Sequence, residues 1–221
     1  MILRYLISPM PFADKIMYIV FGAASVLFVL SAHEWAHGMV AYWMGDRTAK
    51  NMGRLTLNPI KHLDPIGAVC MLLFGFGWAK PVPINPANYK NQKLGVVVVS
   101  LAGPLSNLIL AFIATFIWIA FSAENYFLVF ALQMIISLNL GLAVFNLIPV
   151  PPLDGSRIVS VFLKPGARYK YNSIEKYGVI VMFFIFLIPV LGALFTAILD
   201  FAVNGILKGY IYIISLIVGL F

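Results

Sequence analysis

His33-Glu34-Trp35-Ala36-His37 sets two imidazoles four residues apart, with a carboxylate beside them, inside an apolar run from Ile16 to Met44. On a helix, residues i and i+4 share a face, so both imidazoles can offer a nitrogen to one ion while Glu34 stands about 100° round the axis. This is the H-E-x-x-H arrangement of zinc hydrolases: two neutral nitrogen ligands and a carboxylate that handles the proton of the attacking water. Ionisable groups are costly in hydrocarbon and mark function when they persist there. A single membrane histidine would read as a packing hydrogen bonder. Three ionisable groups on one turn point instead to a metal-dependent hydrolase set in lipid, with one Zn2+ per chain.

The elements that must position this turn follow from composition. The chain is 62% hydrophobic and only 10% charged, against about a quarter charged in soluble domains. It reads as an all-α integral membrane protein with a single transmembrane domain over 1–221. Its polar stretches are too short to build a separate soluble core. The net charge of +7 is therefore a topology signal rather than a nucleic-acid footprint. The lone Cys70 excludes an internal disulfide and a thiolate zinc cluster. Met1 to Ala13 carries no cleavable signal-peptide pattern.

Apolar runs long enough to span fall near 16–44, 94–121, 126–150, 177–199 and 203–221, predicting about five transmembrane helices. Pro65 to Ala79 is apolar but short and broken by Gly67, Gly75 and Gly77, which reads as a re-entrant segment. Re-entry puts Arg47, Lys50, Arg54, Lys61, Lys80, Lys90 and Lys93 on the same side as Arg157, Lys164, Arg168, Lys170 and Lys176. Twelve of the fifteen basic residues then share one face, and the loops near Glu124 and Asp200 lie opposite. The positive-inside rule makes the basic face, and the active site near it, cytosolic in a multi-pass cell-membrane protein.

A catalytic zinc site needs a third protein ligand. A histidine six residues past His37 is excluded by Trp43, and Glu124, Glu175 and Asp200 lie in the wrong loops. Asp46 is about 13 Å of helical rise beyond His37. Asp154 closes Asn146-Leu147-Ile148-Pro149-Val150-Pro151-Pro152-Leu153-Asp154-Gly155, where three prolines end a span at the depth the histidines can face. A plain proline turn carrying a surface Asp is the alternative reading of that segment.

Together these residues carry a resemblance. H-E-x-x-H, then Gly103-Pro104-Leu105-Ser106-Asn107, then Asn146…Pro149…Leu153-Asp154-Gly155 resemble the ordered signatures of site-2 proteases. Leu57-Asn58-Pro59, His62-Leu63-Asp64-Pro65 and Gly77-Trp78-Ala79-Lys80-Pro81-Val82-Pro83 are similar to the compact bacterial branch without PDZ or CBS domains. The likeness covers about residues 31–157. It implies an intramembrane zinc metalloendopeptidase with His33, His37 and Asp154 as ligands and Glu34 as the catalytic carboxylate. No separate span precedes the H-E-x-x-H helix, in contrast to some members.

Asn146, inside an apolar run, is expected to donate a hydrogen bond to the substrate or to the developing oxyanion. Asn107 and Gly103 are expected at substrate-contacting or close-packed positions. Residues 52–58 and Val82 to Ile84 suggest a small β-hairpin, within a re-entrant and hairpin region of about 51–88, whose edge could take an extended substrate. His62 reads as a structural hydrogen bonder. The expected partners are a transmembrane protein substrate and the bilayer, with no nucleic acid. The rival function is a zinc-binding transporter or channel. Against it, transport gives Glu34 no task, and no inverted repeat of broken helices is present.

Overall fold

The computed structural model describes residues 11–67, 79–121, 125–178, 180 and 188–219. Helix α1 spans Phe12–Trp43, α2 Thr48–Asn51, α3 Pro59–His62, α4 Gln92–Ala120, α5 Tyr126–Asn146, α6 Asp154–Phe162, α7 Pro165–Ser173 and α8 Pro189–Val218. Among the described residues four helices are long and apolar enough to cross a membrane: α1, α4, α5 and α8. Their starts are written in the sequence. The Asn91 side chain accepts from Leu94 N–H at the start of α4, Asn125 accepts from Phe127 and Leu128 N–H at the start of α5, and Pro189 opens α8. These caps answer backbone donors that a helix leaves unpaired at its first turn.

Helix α4 is the hub, packed against α1, α5, α6 and α8. Its small residues Ala111 and Ala114 are buried against Leu132, Ile136 and Leu140 of α5. Helix α8 packs Val203, Ile206, Leu207 and Tyr210 against this core, while Leu194, Ile198 and Phe201 are exposed. It is joined to α4 by Tyr210, whose hydroxyl donates to the Leu108 carbonyl at 3.1 Å.

Two expectations are corrected. The break near Asp200 is absent, because α8 runs unbroken through it, and an aspartate without adjoining proline or glycine does not end a helix. Part of the expected 177–199 span lies outside the described residues. The expected hairpin is also absent from the described residues: 52–58 is turn and irregular chain, and the one bridge joins Leu63 to Ala79. Gly53 turns the backbone at φ 63°, while Asn58 and Pro59 open α3, so no strand can run through 52–58. In 81–85 the N–H groups of Val82 and Asn85 are taken by the carboxylates of Glu34 and Asp46, and Pro81 and Pro83 have none to give.

Most of the expected re-entrant segment, including Cys70, lies outside the described residues, as does Glu124. Its flanks meet at one end of the bundle, where Lys80 N–H donates to the His62 carbonyl at 2.9 Å. That end also carries the C-terminus of α1, the N-terminus of α4 and the basic residues Arg54, Lys93, Arg157 and Arg168.

Candidate metal centre and catalytic cleft

His33 and His37 lie on the last third of α1, ten and six residues before its end, and both are buried. Asp154 opens α6 directly after the proline turn. Its Oδ2 sits 3.3 Å from His33 Nε2 and 3.1 Å from His37 Nε2, and the two Nε2 atoms are 3.1 Å apart.

The tautomer of each histidine follows from acceptors that cannot donate. His37 Nδ1–H donates to the Val99 carbonyl at 2.7 Å. For His33 the logic runs through a relay that begins on α5. The Ile135 carbonyl can only accept, so Asn139 presents its Nδ2 there at 2.8 Å and turns its Oδ1 outward. Asn107 Nδ2 then donates to that oxygen at 2.7 Å, which leaves Asn107 Oδ1 to accept from His33 Nδ1–H at 2.6 Å. Both Nε2 lone pairs therefore point at the carboxylate oxygen.

Three lone pairs 3.1 to 3.3 Å apart repel one another, and protonating both Nε2 atoms would set two cations side by side in apolar surroundings. A divalent cation held by all three resolves either conflict. The donor set, two imidazoles and one carboxylate, is the one zinc takes in hydrolases. The residues fit the metal.

Gly103 of α4 stands directly against this cluster, on the side of the Nε2 atoms. A Cβ there would overlap His37 Nε2 and the His33 ring, so only glycine lets α4 approach α1 at this level. Asn107 is fully buried behind His33. Neither Gly103 nor Asn107 is among the residues bordering the cleft: Gly103 faces the Nε2 edge of the imidazoles and Asn107 the Nδ1 edge of His33.

The cleft itself is a cavity of about 370 Å³ bordered by His33, Glu34, His37, Val82, Asn146 and Asp154. Glu34 Oε2 accepts Val82 N–H at 2.7 Å, which fixes one carboxylate oxygen on the chain segment opposite α1. Asn146 Nδ2 donates to the Leu142 carbonyl one turn back, at 3.1 Å. His62 is buried away from the cluster, with Nε2 donating to the Thr56 carbonyl at 2.7 Å.

Sequence reasoning missed Asn139, the Val99 carbonyl and Asp46. Asp46 is buried at the end of α1 and accepts from Thr48, Asn88 and the Asn85 backbone, clasping the segment that carries Val82. Burial raises its carboxyl, but these hydrogen bonds outweigh burial and leave it below the ordinary aspartate range. A lone amide within an apolar span was the available signal for Asn139. The other two left none.

The model of peptidase family M50 matches residues 120–189. The chain is 44% identical over 192 residues to a Bacillus subtilis protein named as a zinc metalloprotease, YwhC, covering 83% of this chain and 88% of that protein. It is 25% identical over 195 residues to a Mycolicibacterium smegmatis protein named as a zinc metalloprotease, Rip2, covering 86% and 74%. No solved structure matches the chain.

Proposed function

This chain belongs to peptidase family M50, the site-2 proteases, and is a zinc metalloprotease; on that premise we propose that it hydrolyses peptide bonds in or beside the transmembrane segments of other membrane proteins. The carrying observation is depth. At 1.5 Å per residue His37 and His33 lie about 9 and 15 Å inside the end of a span helix. A cleft at that depth receives membrane-embedded chain more readily than a soluble peptide.

In this reading His33, His37 and Asp154 hold the metal. When bound, zinc supplies the Lewis acidity that lets water deprotonate near neutral pH. Glu34 takes the water's proton and delivers it to the departing amine nitrogen, a role worth about 10²–10⁴-fold. Asn146, on the cleft wall, turns its carboxamide from Leu142 to the substrate carbonyl oxygen as charge develops there. Gly103 and Asn107 set the imidazoles in place. The cytosolic placement of the basic end is supported by the clustering of its lysines and arginines, and the whole chain is taken as one domain.

The transporter alternative gains no support from the relatives. Purified protein in detergent, given a peptide with one transmembrane segment, tests the proposal. Chelator-sensitive cleavage within the apolar segment, or within a few residues of it, is expected. Cleavage confined to soluble peptides would overturn the intramembrane reading.

A further inference from the structure

Beside the catalytic cleft lies a second cavity of about 430 Å³, and the two share Ile84, Val99, Ser100, Pro152 and Arg157 as walls. A group bound in the second is thus within reach of a chain lying in the first. Tyr89 lines it. Its ring packs on Ala41 and Val99 and occupies the space a Cβ on Gly95 would need. Its residue is only 6% exposed, yet its hydroxyl meets no hydrogen-bond partner among the described residues. A buried hydroxyl without a partner is unfavourable, so a hydrogen-bond acceptor beside it would be stabilised.

The charge of the cavity says which kind. Lys93, Arg157 and Arg168 line it, against Glu175 alone on the acidic side. The Arg168 guanidinium is spent on the carbonyls of Ser160, Val161 and Leu163. Arg157 is not spent: no carboxylate, Glu175 included, lies within ion-pair distance of it among the described residues. Of the five residues that line both cavities, it is the charged one.

We propose that this cavity is a specificity subsite that takes an acidic side chain of the substrate, within a few residues of the cleaved bond, on the Arg157 guanidinium and the Tyr89 hydroxyl. This rests on the reading of the chain as a peptidase. A peptide carboxylate is favoured over a free anion because the cavity adjoins the cleft across shared lining residues, so a substrate already held there presents the carboxylate at high effective concentration. Burial, with the nearby charge of Asp46, pushes the Tyr89 hydroxyl up to about 12, so it stays a neutral donor at physiological pH.

The test uses transmembrane peptides identical except for Glu, Gln or Lys at each position flanking the mapped cleavage site. At one position or a close pair, kcat/KM should favour Glu over Lys by about tenfold and Glu over Gln by about fivefold, through KM, as suits a part-exposed ion pair. Because each ratio is taken within one variant, overall activity cancels. Arg157→Gln should bring the Glu-to-Lys ratio near one, Arg157→Glu should invert it, and Tyr89→Phe should lower it two- to threefold. Equal rates for the three peptides at every position, or a ratio indifferent to Arg157, would overturn the subsite.

Binding of the same labelled peptides to the Glu34→Gln protein keeps the two readings apart. A Glu preference in binding without cleavage by the parent enzyme would retain the subsite and overturn the peptidase reading. Inorganic phosphate, or phosphatidylglycerol in the micelle, that inhibits all three peptides equally with no Glu preference would assign the cavity to a small anion or a headgroup and overturn the proposal.

Discussion

The imidazole side of the cleft and its carboxylate side are fastened by different kinds of structure. His33 and His37 are held by groups carried on α4 and α5 within the bundle: Asn107, Asn139 and the Val99 carbonyl. Glu34 is held by the Val82 backbone, in a stretch with no regular structure. That stretch is tied down by Arg54, which donates to the carbonyls of Lys80 and Pro81, and by Asp46. The geometry of the metal ligands is thus a property of helix packing, whereas the setting of the carboxylate is a property of loop anchoring. The two should fail separately.

The largest expected effect is that of Glu34→Gln. Turnover should fall by about 10³-fold or more, while metal analysis still finds about one zinc per chain. Loss of zinc from folded Glu34→Gln protein would erase the distinction between the two sides. Asp154→Ala comes next, leaving two imidazoles without their third partner, and should strip zinc on dialysis under conditions where Asp46→Ala retains it. Normal zinc in Asp154→Ala would sink its place among the ligands.

Asn107→Leu sharpens the comparison from the helix side. It leaves His33 Nδ1 without its acceptor, and zinc affinity measured by competition with a chelator should drop about 10–100-fold. Asp46→Ala probes the loop side: turnover should fall about tenfold with zinc content unchanged, since several hydrogen bonds to a charged acceptor are lost. A variant that swaps these signatures would break the separation.

The smallest effect is on pH. Asp46 titrates below the ordinary aspartate range in the folded protein, so its contribution is complete above that range and is lost as pH falls through the depressed value. Amide exchange at Thr48 and Asn85 should accelerate under those acid conditions in the parent, and Asp46→Asn should abolish that acid-dependent change.

The H-E-x-x-H turn was legible because helical periodicity alone brings His33 and His37 together. The proline turn before Asp154 was legible because three prolines cannot continue a span. The Asn107–Asn139 contact joins residues 32 positions apart on different helices, and no local pattern encodes which amide faces which. Val82 misled for a physical reason: alternation with prolines is compatible with an edge strand, but its N–H is captured by Glu34 instead. Around Asp200 hydropathy alone suggests two segments, because a single charge lowers the average without disturbing the backbone of α8.

Gly103 has a mechanical consequence. With no space for even a methyl group between α4 and the two imidazoles, these helices interlock like a key in its ward. A sliding or rotation of α4 past α1 would drive backbone into the His33 and His37 rings. At this level α4 and α1 therefore behave as one body, and the spacing of the two imidazoles is guarded by the backbone of a neighbouring helix.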